Sequence, residues 1–182
     1  MSSVSIVIPY MPNRGTQLDV TLKSIAAQDF PVEMVLIADI RHRTQKWMNP
    51  APLWNEGVRR ATGNILILQS PECQHSAGTI AKLSGVEPKS AMFAAVMALK
   101  PDGSNDRWYC HSQHHPMPWF FCGSVHKDMV LAAGGWDESF TDYGGEDINF
   151  AGRLEKAGCH FVYDDSIMVY HQWHEFTGGV GV

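Results

Sequence analysis

Two carboxylates, Glu146 and Asp147, stand side by side directly after the glycine pair Gly144-Gly145. A reactive carboxylate needs a fixed backbone and an open approach. Glycine serves both, having no Cβ to keep a ligand away and tight-turn conformations open to it. Just upstream, Gly134-Gly135-Trp136-Asp137-Glu138-Ser139-Phe140 supplies a second glycine pair, an indole and more acid. Ile148, Ala151 and Leu154 recur at helical spacing and Gly158 ends the pattern, so a helix runs from Ile148 to Gly158. Acidic residues at a helix start are also favoured by its dipole, which is the structural alternative for this pair.

The elements that must position this pair are legible upstream. Val4 to Pro9 and Met34 to Ala38 are short apolar runs rich in β-branched residues, as expected of buried strands. Ile65 to Leu68 is a third strand, followed by Gln69-Ser70-Pro71-Glu72. Between them, Leu18, Leu22, Ile25 and Ala26 line one helical face, and Trp54 to Thr62 reads as a helix closed by Gly63. Strand–helix–strand–helix–strand calls for a parallel sheet, with ligands beyond the strands' carboxyl ends. Pro9, Asp39 and Ser70-Pro71-Glu72 occupy those ends. The second half is less regular. Ala91 to Leu99 suits a strand or a buried helix, Trp108 to Cys122 is dense in His and aromatics, and Lys127 to Ala133 suits a short helix. Phe161 to Tyr163 and Ile167 to Tyr170 read as two short strands, and Gly178 to Val182 as a mobile tail.

The chain has 182 residues, 45% apolar and 18% charged, enough for one sizeable core. No apolar run reaches the roughly 20 residues that span a bilayer, and no basic leader precedes the first strand. Cys73, Cys110, Cys122 and Cys159 form no Cys-x-x-Cys pair, so reduced thiols and a cytoplasmic setting are expected. A net charge of −5 does not suit a nucleic-acid surface, although Arg41, His42, Arg43 and Lys46 make a local basic patch.

Taken in order, the motifs resemble family 2 glycosyltransferases of the GT-A fold. Ser5 to Tyr10 resembles that family's opening strand, and Thr21 to Gln28 its first helix. Asn55-Glu56-Gly57 with Ala61-Thr62-Gly63-Asn64 resembles the approach to its third strand. Gly134 to Glu138 and Gly145-Glu146-Asp147 resemble its acceptor-side motif. The resemblance implies an α/β, GT-A-like (Rossmann-like) domain with a mostly parallel central sheet flanked by helices. It also implies a nucleotide-sugar half over 1–75, an acceptor half over 76–176 and a flexible tail over 177–182.

Roles carry over residue by residue. The nucleotide, expected to be UDP, would lie against Pro9 and Tyr10, with Asp39 at the uracil or ribose and Arg14 on the diphosphate. Asn55 and Ser70 would complete the donor contacts. Asp39 can equally cap a turn, and Arg14 can be a solvated loop residue. Where the family carries Asp-x-Asp, this chain has Ser70-Pro71-Glu72. Glu72 would therefore hold a divalent ion, Mn²⁺ rather than Mg²⁺ if an imidazole joins it. His75 is one candidate. Met168-Val169-Tyr170-His171 is similar to the Met-x-x-His pair of β-1,4-galactosyltransferases, making His171 the better ligand and His174 the fallback. Asp147 would be the general base of an inverting transfer and Glu146 a hydroxyl ligand, although the two roles can exchange. Gly145 and Trp136 would complete the acceptor wall.

The acceptor class stays open among a glycan, a protein and a hydroxymethylated base of viral DNA. The substitution at Ser70 also leaves open a nucleotide-sugar-binding module without catalysis.

Overall fold

The computed structural model describes residues 3–12, 15–41, 49–141 and 144–174. Arg14, His42, Arg43, Lys46 and the expected tail lie outside them. The first half alternates as expected: β1 (Val4–Tyr10), α1 (Gly15–Ala26), β2 (Glu33–Ala38), α2 (Ala51–Arg60) and β3 (Ile65–Gln69). There follow β4 (Cys73–His75), α3 (Thr79–Leu83), β5 (Ser90–Leu99), β6 (Asn105–Cys110), β7 (Cys122–His126), α4 (Lys127–Ala132), α5 (Glu146–Lys156) and β8 (His160–His171).

The strands form one mixed sheet in the order β2-β1-β3-β7-β5-β8-β4, with β6 added on β5. β1 runs parallel to β2 and β3, and β8 parallel to β5, while β7 is antiparallel to both β3 and β5. Five strands therefore share one direction, and β4, β6 and β7 oppose them.

Alternation along the pleat sends successive side chains to opposite faces. Val7, Leu66 and Leu68 pack with Trp54, Val58, Trp136, Phe150 and Leu154 on one face. Ile6, Ile8, Ile65 and Ile67 pack with Leu18, Ile25, Ile80, Leu83 and Val169 on the other. With helices on both faces the central strands are buried throughout, so they read as continuous apolar runs. Each such side chain contributes about 1.5–3 kcal/mol by leaving water. α2 approaches β1 so closely that a Cβ at Gly57 would sit 2.2 Å from Cγ1 of Val7.

Three local expectations change. The ambiguous run at 91–99 is a strand, because it pairs with both β7 and β8. The two short strands expected at 161–170 are one long strand, β8, with a register jump: Ala94 faces Asp164, but Ala95 faces Met168. α2 begins at Ala51 rather than Trp54, since Pro52 is tolerated in the first turn. Among the described residues, no helix is long and apolar enough to cross a membrane.

Candidate functional site

β1, β2 and β3 end on one edge of the sheet, at Tyr10, Ala38 and Gln69. β7 begins beside the end of β3, with Cys122 opposite Gln69, which brings Phe120 and Phe121 to that edge. β8 ends with His171 opposite Cys73, next to the Ser70–Glu72 turn. The elements expected to meet a nucleotide sugar are therefore gathered as the parallel topology requires.

On the nucleotide side, the Asp39 amide donates to the Tyr10 carbonyl at 2.8 Å, tying the two strand ends together. The Asp39 carboxylate is held by the Arg41 fork, with Nε at 2.8 Å from Oδ1 and Nη2 at 2.9 Å from Oδ2. Arg41 also donates through Nη1 to the Asn49 carbonyl at 2.9 Å. A ribose or base reaching Asp39 would thus meet a charge-paired group. Tyr10 is partly exposed, but Pro9 is buried within β1, so Tyr10 presents the accessible ring.

Asn55, expected among the donor contacts, is engaged elsewhere in this structure. Its amide braces the loop at 136–138: Nδ2 donates to the Trp136 carbonyl at 3.0 Å and to Oε1 of Glu138 at 2.8 Å, while Oδ1 accepts from the Trp136 amide at 2.9 Å. Asn49 does similar work, donating to the carbonyls of Asp137 and Phe140 at 3.2 Å each. Arg153 completes the brace, with Nη2 at 3.0 Å from Oδ2 of Asp137.

On the metal side, Glu72 is buried with 3% of its surface exposed, and Ser70 Oγ donates to its Oε2. His174 Nε2 lies 3.9 Å from Glu72 Oε1, and the His171 and His174 rings are 5.4 Å apart. Two atoms bound to one divalent ion at cis positions lie about 3 Å apart, so Glu72 and His174 are near a chelating bite. Among the described residues, no three His, Cys, Asp or Glu side chains are gathered as a complete cage. Glu72 and His174 could supply two ligands, and other donors would have to complete an ion's shell. His75 is not part of this pair. Its imidazole is buried, donates through Nε2 to Oε1 of Gln69 at 2.6 Å, and is pushed down to about 4 by desolvation.

On the acid side, Gly144 and Gly145 both adopt left-handed φ, +80° and +88°, and Gly145 caps α5. Glu146 and Asp147 fill its first turn. Burial raises Asp147 to about 7; the neighbouring Glu146 charge adds to this and a hydrogen bond from Trp136 opposes it. Glu146 is also raised, again by burial, and its Oε2 is a buried oxygen with no hydrogen-bond partner. A buried acceptor without a donor is rare enough to suggest a place for an incoming hydroxyl.

Trp136 departs from its expected role. The ring is 2% exposed, stacked on Phe150 at 3.6 Å and on Trp54 at 5.3 Å, so it is core rather than an open sugar platform. Its Nε1 donates to Asp147 Oδ1 at 3.3 Å. Sequence reasoning missed this contact and those of Arg41 and Asn49. A buried indole needs a partner for its N–H, which was the signal available for the first.

No family model matches the chain. Over 59 residues, 31% of this chain and 6% of the other protein, it is 42% identical to the chondroitin synthase of Pasteurella multocida (strain Pm70). The matched stretch is thus a small fraction of that relative's length. The fold is found in GalNAc-T7 with UDP, GalNAc and Mn²⁺, at TM-score 0.73 and 14% identity over 96% of this chain and 44% of that one. It is also found in mannosyltransferase PcManGT from Pyrobaculum calidifontis with GDP-Man and Mn²⁺, at TM-score 0.66 and 14% identity over 93% and 56%. The architecture is therefore that of GT-A glycosyltransferase domains.

Proposed function

We propose that this chain is a glycosyltransferase that moves a sugar from a nucleotide diphosphate, UDP by preference, to an acceptor hydroxyl with inversion. The observation that carries the reading is Asp147: a carboxylate at a glycine-opened helix start, raised to about 7 and oriented by Trp136. A general base works best with a pKa near the operating pH. Support also comes from the stretch of likeness to a polysaccharide synthase and from the fold shared with sugar-nucleotide transferases.

Asp147 accepts the acceptor's hydroxyl proton as that oxygen attacks the anomeric carbon. The bond from that carbon to the diphosphate oxygen breaks on the opposite side, and the nucleoside diphosphate leaves with the bonding pair. Glu146 receives a sugar hydroxyl at its unpartnered Oε2. Tyr10 and Asp39 receive the nucleoside. Glu72 and His174, with His171 beside them, would hold a divalent ion, and Mn²⁺ would suit a mixed carboxylate and imidazole pair. When bound, such an ion neutralises charge on the leaving diphosphate.

Asp147→Asn tests the reading. UDP-sugar binding followed by thermal shift stays within twofold of the native protein, while kcat falls by about 10²-fold or more. Turnover near the native value would remove Asp147 as the base. A thermal-shift screen of UDP-, GDP- and TDP-sugars with and without Mn²⁺ identifies base and sugar.

A further inference from the structure

Gln172, which follows His171, ties the end of β8 to two other elements. Its side-chain Nε2 donates to the Gln17 carbonyl at 3.0 Å, Thr21 Oγ1 at 3.0 Å and the Glu72 carbonyl at 3.2 Å. Its backbone amide donates to the same Glu72 carbonyl at 2.9 Å. Thr21, fully buried on α1, donates in turn to the Pro71 carbonyl at 2.8 Å. The carbonyls on both sides of the Glu72 Cα are thereby fixed, one by Thr21 and the other twice by Gln172. Three elements meet in this knot: the start of α1, the Ser70–Glu72 turn and the end of β8. The knot adds to the β4–β8 pairing, in which Cys73 lies opposite His171.

We propose that Gln172 is a positioning residue for divalent-ion binding: it sets the spacing between the Glu72 carboxylate and the His174 imidazole. The inference rests on the proposed metal-assisted transfer. Supporting groups around a metal site govern its affinity because they hold ligand atoms within a few tenths of an ångström of productive geometry. Here the 3.9 Å separation of Glu72 Oε1 and His174 Nε2 leaves little slack before a shared ion is lost.

The test measures Mn²⁺ affinity directly, by electron paramagnetic resonance titration in the presence and absence of UDP, well below the melting temperature. Gln172→Met keeps the volume and removes the amide, and should weaken Mn²⁺ binding about 10-fold. Thr21→Val removes the shared hydroxyl and should act in the same direction. The double variant should be no worse than Gln172→Met, because the two side chains serve one network. Lys82→Met, which cuts a bond to the Ser166 carbonyl far along β8, should leave Mn²⁺ affinity unchanged. If Gln172→Met does not fold, Thr21→Val carries the test. Native affinity in both Gln172→Met and Thr21→Val, with loss in Glu72→Gln, overturns the positioning role and leaves the metal reading standing. No Mn²⁺ binding by the native protein, with Glu72→Gln indistinguishable from it, overturns both.

Discussion

The Trp136 indole donates its N–H to Oδ1 of Asp147 across 3.3 Å, joining the Gly-Gly-Trp-Asp-Glu loop to the first turn of α5. This contact favours the ionised carboxylate, and burial works against it. Trp136→Phe keeps a ring in the stack between Trp54 and Phe150 and removes the donor. The Asp147 pKa then rises further above about 7. In a pH profile of kcat/KM, the acid limb should move upward by up to about one unit, since a net hydrogen bond is worth about 1 kcal/mol. An unmoved limb would separate Trp136 from the base.

The same carboxylate links stability to pH. Its ordinary value is 3.8, and the folded chain holds it at about 7, so the folded state binds this proton more tightly. As pH rises from about 4 to about 7, the unfolded chain releases the proton first and stability is lost; above that range the loss is complete. Asp147→Asn carries no such penalty. It should be more stable than the native protein at pH 8 by about 2 kcal/mol, a figure discounted for partial exposure, and equal to it near pH 4. Denaturant unfolding at the two pH values checks both halves of this expectation.

Asn55→Leu distinguishes a loop brace from a donor ligand. The Trp136 amide and carbonyl and the Glu138 carboxylate lose their shared partner, which should cost about 2–3 kcal/mol of stability. Activity should fall through kcat, with the KM for the nucleotide sugar within threefold of the native value. A selective rise in donor KM at unchanged stability would restore Asn55 to the nucleotide site.

Gly135→Ala should be among the most damaging substitutions of a small residue. Its φ is +69°, and a Cβ there would lie 2.5 Å from Asn55 Oδ1. Left-handed strain and the displaced brace together should cost about 2–4 kcal/mol, read as a lowered Tm with weakened catalysis.

The parallel half of the sheet was legible in the sequence because strands covered on both faces read as apolar runs, as at Ser5–Pro9 and Ile65–Leu68. Glu146 and Asp147 were legible because glycines with left-handed φ and a helix start leave a local pattern. β6, β7 and β4 were not, being short and named by partners distant in the chain: Gln69 finds Cys122, and Cys73 finds His171. The contacts that Trp136 and Asn55 make, a buried stack and a loop brace, were not legible. Composition shows that an indole or an amide is present, but which atoms it faces is decided by packing. Gln172 carried no signal, since its bonds reach Gln17, Thr21 and Glu72 at separations no local pattern records.

The register jump between β5 and β8 has a consequence far from where it occurs. Asp164 and Met168 face consecutive residues of β5, so 165–167 are looped out of the pairing. That loop is anchored, with Asp165 accepting from the Gln113 amide and Ser166 from Lys82. Everything beyond it is phased by how much chain it absorbs. Removing one residue there would shift the remainder of β8 against β4 and β5 and invert which side chains face which layer. Val169 would leave the core, and Gln172 would stand where His171 does. A surface deletion about ten ångströms or more along the strand from any ligand, at roughly 3.3 Å per residue, would then erase the imidazole side of the site while leaving every one of its residues in the chain.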